Sequence, residues 1–338
     1  MRVVTASRDQ TARVWNAITG EPLSWPLKHD GPVVTAAFSP DGMRVVTASR
    51  DQTARVWNTI TGTPVTEPLE HHHSSVVAAA FNADGLRVVT ASSSEASRVW
   101  NATRGKPWDA TMGKPVALPL VVTAAFSADG TRVMTMSLDG IVRVWDVTAG
   151  KLVIRRLAHH GPVVAAAFNA DGTRVVAASE DKAARVWDAA MGTPLTGPLL
   201  HQGTVWAVAF STDGARVVTA SEDGTARVWD ATTGTPLTGP LLHQGTVWAA
   251  AFSADGTRVV TASEDKMARV WDATTGKPVI QPLLHEDRVV AATFSADGTR
   301  VVTASSDKTA RLWTLSMDMG SLEDWQRFSR SLATSGHD

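Results

Sequence analysis

A tryptophan recurs at an almost fixed interval along the whole chain. Trp15, Trp57, Trp100, Trp145, Trp187, Trp229, Trp271 and Trp313 each sit in RVW or RLW, and the intervals are 42, 43, 45, 42, 42, 42 and 42 residues. An RVVTAS-like string precedes each of them, and an F(S/N)xDG string precedes all but the first. Residues 1–16, MRVVTASRDQTARVWN, are repeated unchanged at 43–58. A fixed period in this range means a repeat array, in which each unit buries its apolar faces only by stacking on its neighbours.

One unit, residues 203–241, shows the elements. GTVWAVAFS, RVVTAS, ARVWD and TPLTGPL are short apolar or β-branched runs, separated by STDGA, EDGT and ATTG. Alternating short strands and Asp-Gly or Thr-Gly turns predict four strands per unit, and no helical period is present. Runs such as VVAAAF are apolar on both faces and need cover on both. Four-stranded sheets stacked radially supply it.

Composition removes whole classes of function. The 338 residues contain no Cys, which excludes disulfides, thiolate metal sites and Cys nucleophiles. The net charge of −1 gives no electrostatic footprint for nucleic acid or membrane. No apolar run reaches the ~18 residues of a membrane span, and MRVVTASR lacks a signal-peptide core. A soluble, cytoplasmic chain is the expectation.

The pattern resembles the WD40-repeat family, as a bacterial-type array of near-identical repeats, over residues 1–313. His201 precedes Ser221 by 20 residues, Asp223 by 22 and Trp229 by 28. The same offsets give His29, Ser49, Asp51, Trp57; His159, Ser179, Asp181, Trp187; His243, Ser263, Asp265, Trp271; and His285, Ser305, Asp307, Trp313. The resemblance implies a His–Ser–Asp–Trp hydrogen-bonded chain within each blade. Each of these buried polar groups is costly without partners, and together they satisfy one another. Two units depart from the pattern. His72, Ser92 and Trp100 are followed through Ser94 where Asp is expected, with Glu95 beside it, and the unit ending at Trp145 has Ser137 and Asp139 but Ala117 in the His position. Upstream of the latter, WNATRGKP (100–107) is followed by WDATMGKP (108–115), which makes this stretch the expected weak point of the ring.

The resemblance implies an all-β propeller. Grouped as outer strand plus the next three, residues 21–313 form seven repeats, with 21–27 expected to close the ring beside 309–313. Residues 1–16 are then a leftover hairpin of an incomplete repeat, so Met1 looks like an internal Met of a longer array. The alternative is an eight-unit ring whose first unit lacks the inner strand and whose last lacks the outer one. Residues 314–338 form a tail, with a short helix expected over about 321–332.

Recurrence argues against chemistry at the repeated Ser, His and Asp, since a catalytic site is single and needs an exposed nucleophile. The chain is read as a non-enzyme without cofactor or metal. HHH at 71–73 has no partner cluster, and the Asp-Gly pairs are turn chemistry. Sixteen arginines at fixed strand positions are balanced by acidic residues and read as sheet-lying side chains. The informative residues are those that break the repeat. Trp206 and Trp248 stand where other units have Val34, Val77, Val122, Val164 and Val290. In the family this position, the residue two before it and the residue before the repeated Asp line the partner-docking surface. Here these are Trp206, Trp248, Thr204, Thr246, Glu180, Glu222, Glu264, Arg50 and Arg288. The implied function is a protein-interaction scaffold or sensor in a signalling assembly, taking a basic protein or peptide partner; the alternatives are the recognition fragment of a larger signalling NTPase or kinase, and, behind it, a propeller enzyme or small-ligand binder. The rival reading makes both tryptophans interblade packing.

Overall fold

The local rules of one blade fix the whole molecule. The computed structural model describes residues 2–72, 74–93, 97–106, 121–137, 141–147, 149, 151–157 and 159–315. In residues 205–242 the strands are Val205–Phe210 (inner), Arg216–Ser221 (second), Thr225–Asp230 (third) and Leu241–Leu242 (outer), paired antiparallel in that order. The register sets Phe210 beside Val217, Val217 beside Trp229 and Ala226 beside Leu241. The first turn is held by Ser211 Oγ donating to Asp213, with Gly214 at φ +68°, a conformation that costs glycine little. The next turn also requires positive φ. Gly224 takes it here, whereas Gln10, Gln52, Lys182, Lys266 and Lys308 take it elsewhere.

Eight such sheets follow one another among the described residues, a β-propeller. The first comprises Arg2–Ala6, Thr11–Asn16 and Leu27–Lys28; the last comprises Val289–Phe294, Arg300–Ser305 and Ala310–Thr314. The seven-blade arrangement is therefore corrected to the eight-unit alternative. Thr11 pairs with Lys28 and Ala12 with Leu27, so the outer strand expected beside 309–313 instead completes the N-terminal hairpin. Arg2–Ala6, Thr11–Asn16 and Leu27–Lys28 thus form one sheet, with no inner strand among the described residues. The sheet hydrogen bonds of a contiguous chain outweigh a long-range closure here, because Trp15 and Pro22 already lie bridged across the connecting turn. The proposed helix at 321–332, Asp139, Ala117, Ser94, Glu95 and the second copy of the 100–115 duplication lie outside the described residues.

Seven apolar clusters fill the interfaces between consecutive blades. Between the sixth and seventh, Val218, Ala220, Ala226, Val228 and Leu241 meet Val247, Ala250, Val259 and Trp271. Each fully buried Val or Leu there is worth about 1.5–3 kcal/mol. Arginines at the start of the second strands stitch the same interfaces. Arg216 donates to the Gly256 carbonyl at 2.8 Å and lies over the Phe252 ring; Arg258 does the same to Gly298 and Phe294. Arg2 reaches the Gly42 carbonyl at 3.0 Å. These repeated arginines hold blades together, which is why their periodicity makes no basic surface.

Each of these seven interfaces includes an inner strand of the following blade, whereas among the described residues no inner strand pairs with Arg2–Ala6. In blade 8, Ala310 and Leu312 are exposed and Val302 and Ala304 half-buried, where the equivalent Ala268, Val270, Val260 and Ala262 of blade 7 are buried.

Candidate functional site

The repeated polar residues form a buried chain in blades 2, 6, 7 and 8, but its link is a threonine. Trp57 Nε1 donates to Thr47 Oγ1 at 2.8 Å, and Thr47 Oγ1 lies 2.7 Å from His29 Nε2. His29 Nδ1 lies 2.8 Å from Asp51 Oδ2. With Nδ1–H donating to the carboxylate, Nε2 accepts the threonine proton, and the chain runs one way from Trp through Thr and His to Asp. The same geometry recurs at Trp229, Thr219, His201, Asp223 and at Trp271, Thr261, His243, Asp265. Trp313, Thr303, His285 and Asp307 complete the set.

The serines expected between His and Trp are corrected to a different role. Ser49 Oγ donates to the Gly31 carbonyl at 3.0 Å and accepts the Asp51 amide at 3.1 Å. Ser179, Ser221 and Ser263 do likewise, and Ser305 donates to Asp287. They pin the turn rather than the indole. Strand alternation and register explain it: Thr47 and Ser49 share one face of the second strand, but Trp57 pairs with Val45, two residues from Thr47 and four from Ser49.

In the third blade the histidine is His71, not His72. His71 Nε2 lies 2.7 Å from Thr90 Oγ1, which also accepts Trp100 Nε1 at 2.7 Å. His71 is buried and His72 exposed. The position is set from behind: each such His follows the preceding outer strand directly, 14 residues after the preceding Trp, as His29 follows Trp15 and His71 follows Trp57. The extra residue of that unit lies after the His.

Electrostatics favour the neutral form of His201 and His243 and the charged form of Asp223 and Asp265. Burial lowers the His201 and His243 pKa values, only partly opposed by Asp223 and Asp265. Burial alone would raise Asp223, but hydrogen bonds from Thr225, Gln202 and His201 bring it below the usual carboxylate range. Asp181 is brought down to about 2 by Arg185 and the His160 amide against its own desolvation. Arg185 and Arg269 reach their aspartates where Ala183 and Met267 replace the threonine of other blades, a substitution the repeat alignment displays but whose consequence it hides. Buried and repeated, these groups are structural.

The repeat-breaking residues do converge. The pairing between inner and second strands shifts between Val205 and Ala207, and again between Val247 and Ala249, so Trp206 and Trp248 are the bulged residues. A bulge re-aims its side chain. The two rings lie with centroids 5.3 Å apart at 45°, half-buried, and neither indole N–H has a partner among the described residues. The Glu222 amide donates to the Thr204 carbonyl at 2.9 Å, and Glu264 to Thr246 in the same way, which sets each glutamate beside its tryptophan strand. Glu180, Glu222 and Glu264 are exposed on blades 5, 6 and 7. Arg50 and Arg288 are exposed too, but on blades 2 and 8, apart from this sector; Arg288 Nε donates to Ser306.

Sequence reasoning passed over Trp25. It is 81% exposed and lines a groove with Leu23, Pro26, Ile60 and Arg13 on the outer edge of blades 1 and 2. The signal was present, since the equivalent residues are Glu67, Gly197, Gly239 and Gln281.

Comparison with known proteins agrees with this geometry. The family model "WD domain, G-beta repeat" matches seven times, at 22–58, 62–101, 118–146, 151–188, 194–230, 236–272 and 276–314. A search of curated proteins found no match. Among solved structures, the crystal structure of the computationally designed Ika8 protein is similar at a TM-score of 0.78 and 28% identity, over 93% of each chain. The periodic tryptophans, the Trp–Thr–His–Asp chains and the seven matches together place this chain in the WD40-repeat family.

Proposed function

We propose that the chain is a protein-interaction scaffold whose docking surface is the Trp206–Trp248 pair ringed by Glu180, Glu222 and Glu264. The tilted pair carries the reading: two half-buried indoles at bulge positions on adjacent blades, with no tryptophan at that position in the other blades. Core packing alone would place these rings in the interblade clusters, and those clusters are built from Val, Ala, Leu and the Trp of the third strand instead. Tryptophans enclosed by charged residues are what interface anchors consist of. Three exposed carboxylates select a segment bearing Lys or Arg. WD40 propellers generally bind protein partners, and a near-identical array of this kind resembles bacterial propellers joined to signalling NTPase or kinase domains. On that resemblance we place the chain in a cytoplasmic signalling assembly.

The test is affinity capture with the intact chain and a Trp206→Ala/Trp248→Ala variant of matched circular dichroism. An anchor tryptophan costs at least about 2 kcal/mol on truncation, roughly thirtyfold in affinity. Specific partners should therefore fall below recovery with the variant, and a Glu180→Lys/Glu222→Lys/Glu264→Lys variant should lose the same partners. Equal recovery by wild type and both variants would refute the docking surface.

A further inference from the structure

Of the three glutamates around Trp206 and Trp248, one differs from the others in position. The Glu222 amide donates to the Thr204 carbonyl of its own blade at 2.9 Å, two residues before Trp206. The same position also reaches the following blade, as the contact between blades 2 and 3 shows: Ser75 Oγ donates to the Arg50 carbonyl at 3.4 Å. Arg50 precedes Asp51 as Glu222 precedes Asp223, and Ser75 precedes Val76 as Thr246 precedes Val247. The repeat therefore sets Glu222 between Thr204 and Thr246, and so between the strand of Trp206 and the strand of Trp248. Glu180, whose amide donates to the Pro162 carbonyl, falls between the strands of Val164 and Trp206. Glu264, whose amide donates to Thr246, falls between those of Trp248 and Val290. Each of these two borders one tryptophan strand, and Glu222 borders both.

Charge singles out the same residue. The turn after the second strand reads Glu-Asp-Lys in blades 5 and 7, with Lys182 and Lys266 exposed two residues after their glutamates. In blade 6 it reads Glu-Asp-Gly, and Gly224 takes the same positive φ without bringing a charge. Glu222 is thus the one of the three with no lysine in its own turn. The indoles beside it are half-buried, and their Nε1 atoms are buried. They therefore offer a partner ring carbon rather than a hydrogen-bond donor. With centroids 5.3 Å apart at 45°, the rings leave no room for a planar group between them. The pair is one continuous aromatic surface with a carboxylate at its seam.

We propose that Trp206, Trp248 and Glu222 form a notch selective for one arginine of the partner, an assignment that rests on the docking surface proposed above. A guanidinium is planar, lies flat on an indole and pairs two parallel N–H groups with a single carboxylate. A lysine ammonium is a compact, strongly hydrated point charge that can do neither. The molecule makes both kinds of contact internally. Arg227 Cζ lies 6.0 Å from the centroid of the Trp229 ring. Arg216 lies 5.6 Å from that of Phe252 while donating to the Gly256 carbonyl. One arginine is recognised, because one carboxylate stands between the two ring-bearing strands. Glu180 and Glu264 act on it only through solvent, as screened charges.

The probes are acetyl-Gly-Arg-Gly-amide and its lysine and citrulline counterparts, titrated into the intact chain labelled with ¹⁵N at its tryptophans. The indole N–H resonances of Trp206 and Trp248 are assigned by Trp206→Phe and Trp248→Phe. The arginine peptide should move both resonances saturably and bind about tenfold more tightly than the lysine peptide, the size of one added charge-assisted hydrogen bond. The citrulline peptide, planar but uncharged, should bind more weakly than the arginine peptide. Glu222→Gln should abolish the preference for arginine over lysine. Glu180→Gln and Glu264→Gln should weaken both charged peptides about twofold and keep the preference, as screened charges do. Absence of saturable shifts, equal binding of arginine and lysine, citrulline matching arginine, or a preference that survives Glu222→Gln would each overturn the proposal. If the arginine peptide moves neither resonance while Trp206→Ala/Trp248→Ala still loses its captured partners, the docking surface stands and the arginine assignment falls. Saturable, Glu222-dependent arginine binding with unchanged capture would keep the notch and remove the docking surface.

Discussion

Blade 5 contains a natural deletion of one hydroxyl, and restoring it should stabilise the protein. The second strand there reads RVVAAS, with Ala177 where the other seven blades have Thr5, Thr47, Thr90, Thr135, Thr219, Thr261 and Thr303. Ala177 is fully buried. Trp187 Nε1 and His159 Nε2, which the threonine would join, are both buried without a partner among the described residues. Strand register is unaltered: Ala177 pairs with Arg185 as Thr219 pairs with Arg227. Ala177→Thr therefore introduces a hydroxyl into a prepared site, accepting from the indole and donating to the imidazole. A buried unsatisfied polar group costs about 1–3 kcal/mol, and two are relieved against the desolvation of one hydroxyl and the fixing of one rotamer, so a net gain of about 1–3 kcal/mol is expected. For a chain of this size that is a rise of a few degrees in melting temperature. Ala177→Val is the control, since it adds the same bulk without the hydroxyl. In calorimetry, Ala177→Thr should melt higher than wild type and Ala177→Val should not, while Thr219→Ala should melt lower by a comparable margin. If Val stabilises as much as Thr, the gain is packing, and the hydrogen-bond reasoning fails.

Acid should destabilise the third blade first. Burial, with Arg98 and His72 adding to it, pushes the His71 pKa from its ordinary 6.5 down to about 3. The unfolded chain then binds a proton that the folded one refuses, so stability falls as pH drops from about 6.5 toward 3, by about 2 kcal/mol at pH 5. Urea midpoints at pH 7 and 5 should differ less in His71→Asn than in wild type, while His72→Ala should keep the wild-type difference; the reverse would return the role to His72. Aspartates such as Asp181, held down at about 2, add a second loss only below their ordinary range. Arg216→Ala should cost about 1–3 kcal/mol by removing the bond to Gly256 and the contact with Phe252, measurable as a lower urea midpoint. A midpoint unchanged by Arg216→Ala would show that the interblade arginines are dispensable.

What the sequence made legible was whatever repeats. Strand order, turn chemistry and blade stacking follow from a 42-residue period, because each unit sees nearly the same neighbours. The errors came where a count from one end disagrees with a count from the other. His72 satisfies the distance to the following Trp100, but the buried position belongs to His71, which the preceding outer strand delivers. Thr47 and Ser49 lie two residues apart on the same face, and only the pairing of Trp57 with Val45 separates their roles; sequence offsets do not show that register. The seven-blade closure failed for a related reason. Grouping the strands by completeness favours 21–313, whereas the chain pairs Leu27 with Ala12 simply because the third strand of its own hairpin is nearest.

The duplicated opening shows where local sequence stops determining local structure. Arg44–Ser49 carries the pattern of a strand covered on both faces, with every residue after Arg44 buried. Arg2–Ala6, the same sequence, has both ends exposed and nothing fully buried. The hairpin forms identically in both places, and Trp15 finds Thr5 at the distance at which Trp57 finds Thr47. Strand pairing and the Trp–Thr bond are therefore properties of the sixteen residues themselves, while burial is a property of the neighbours.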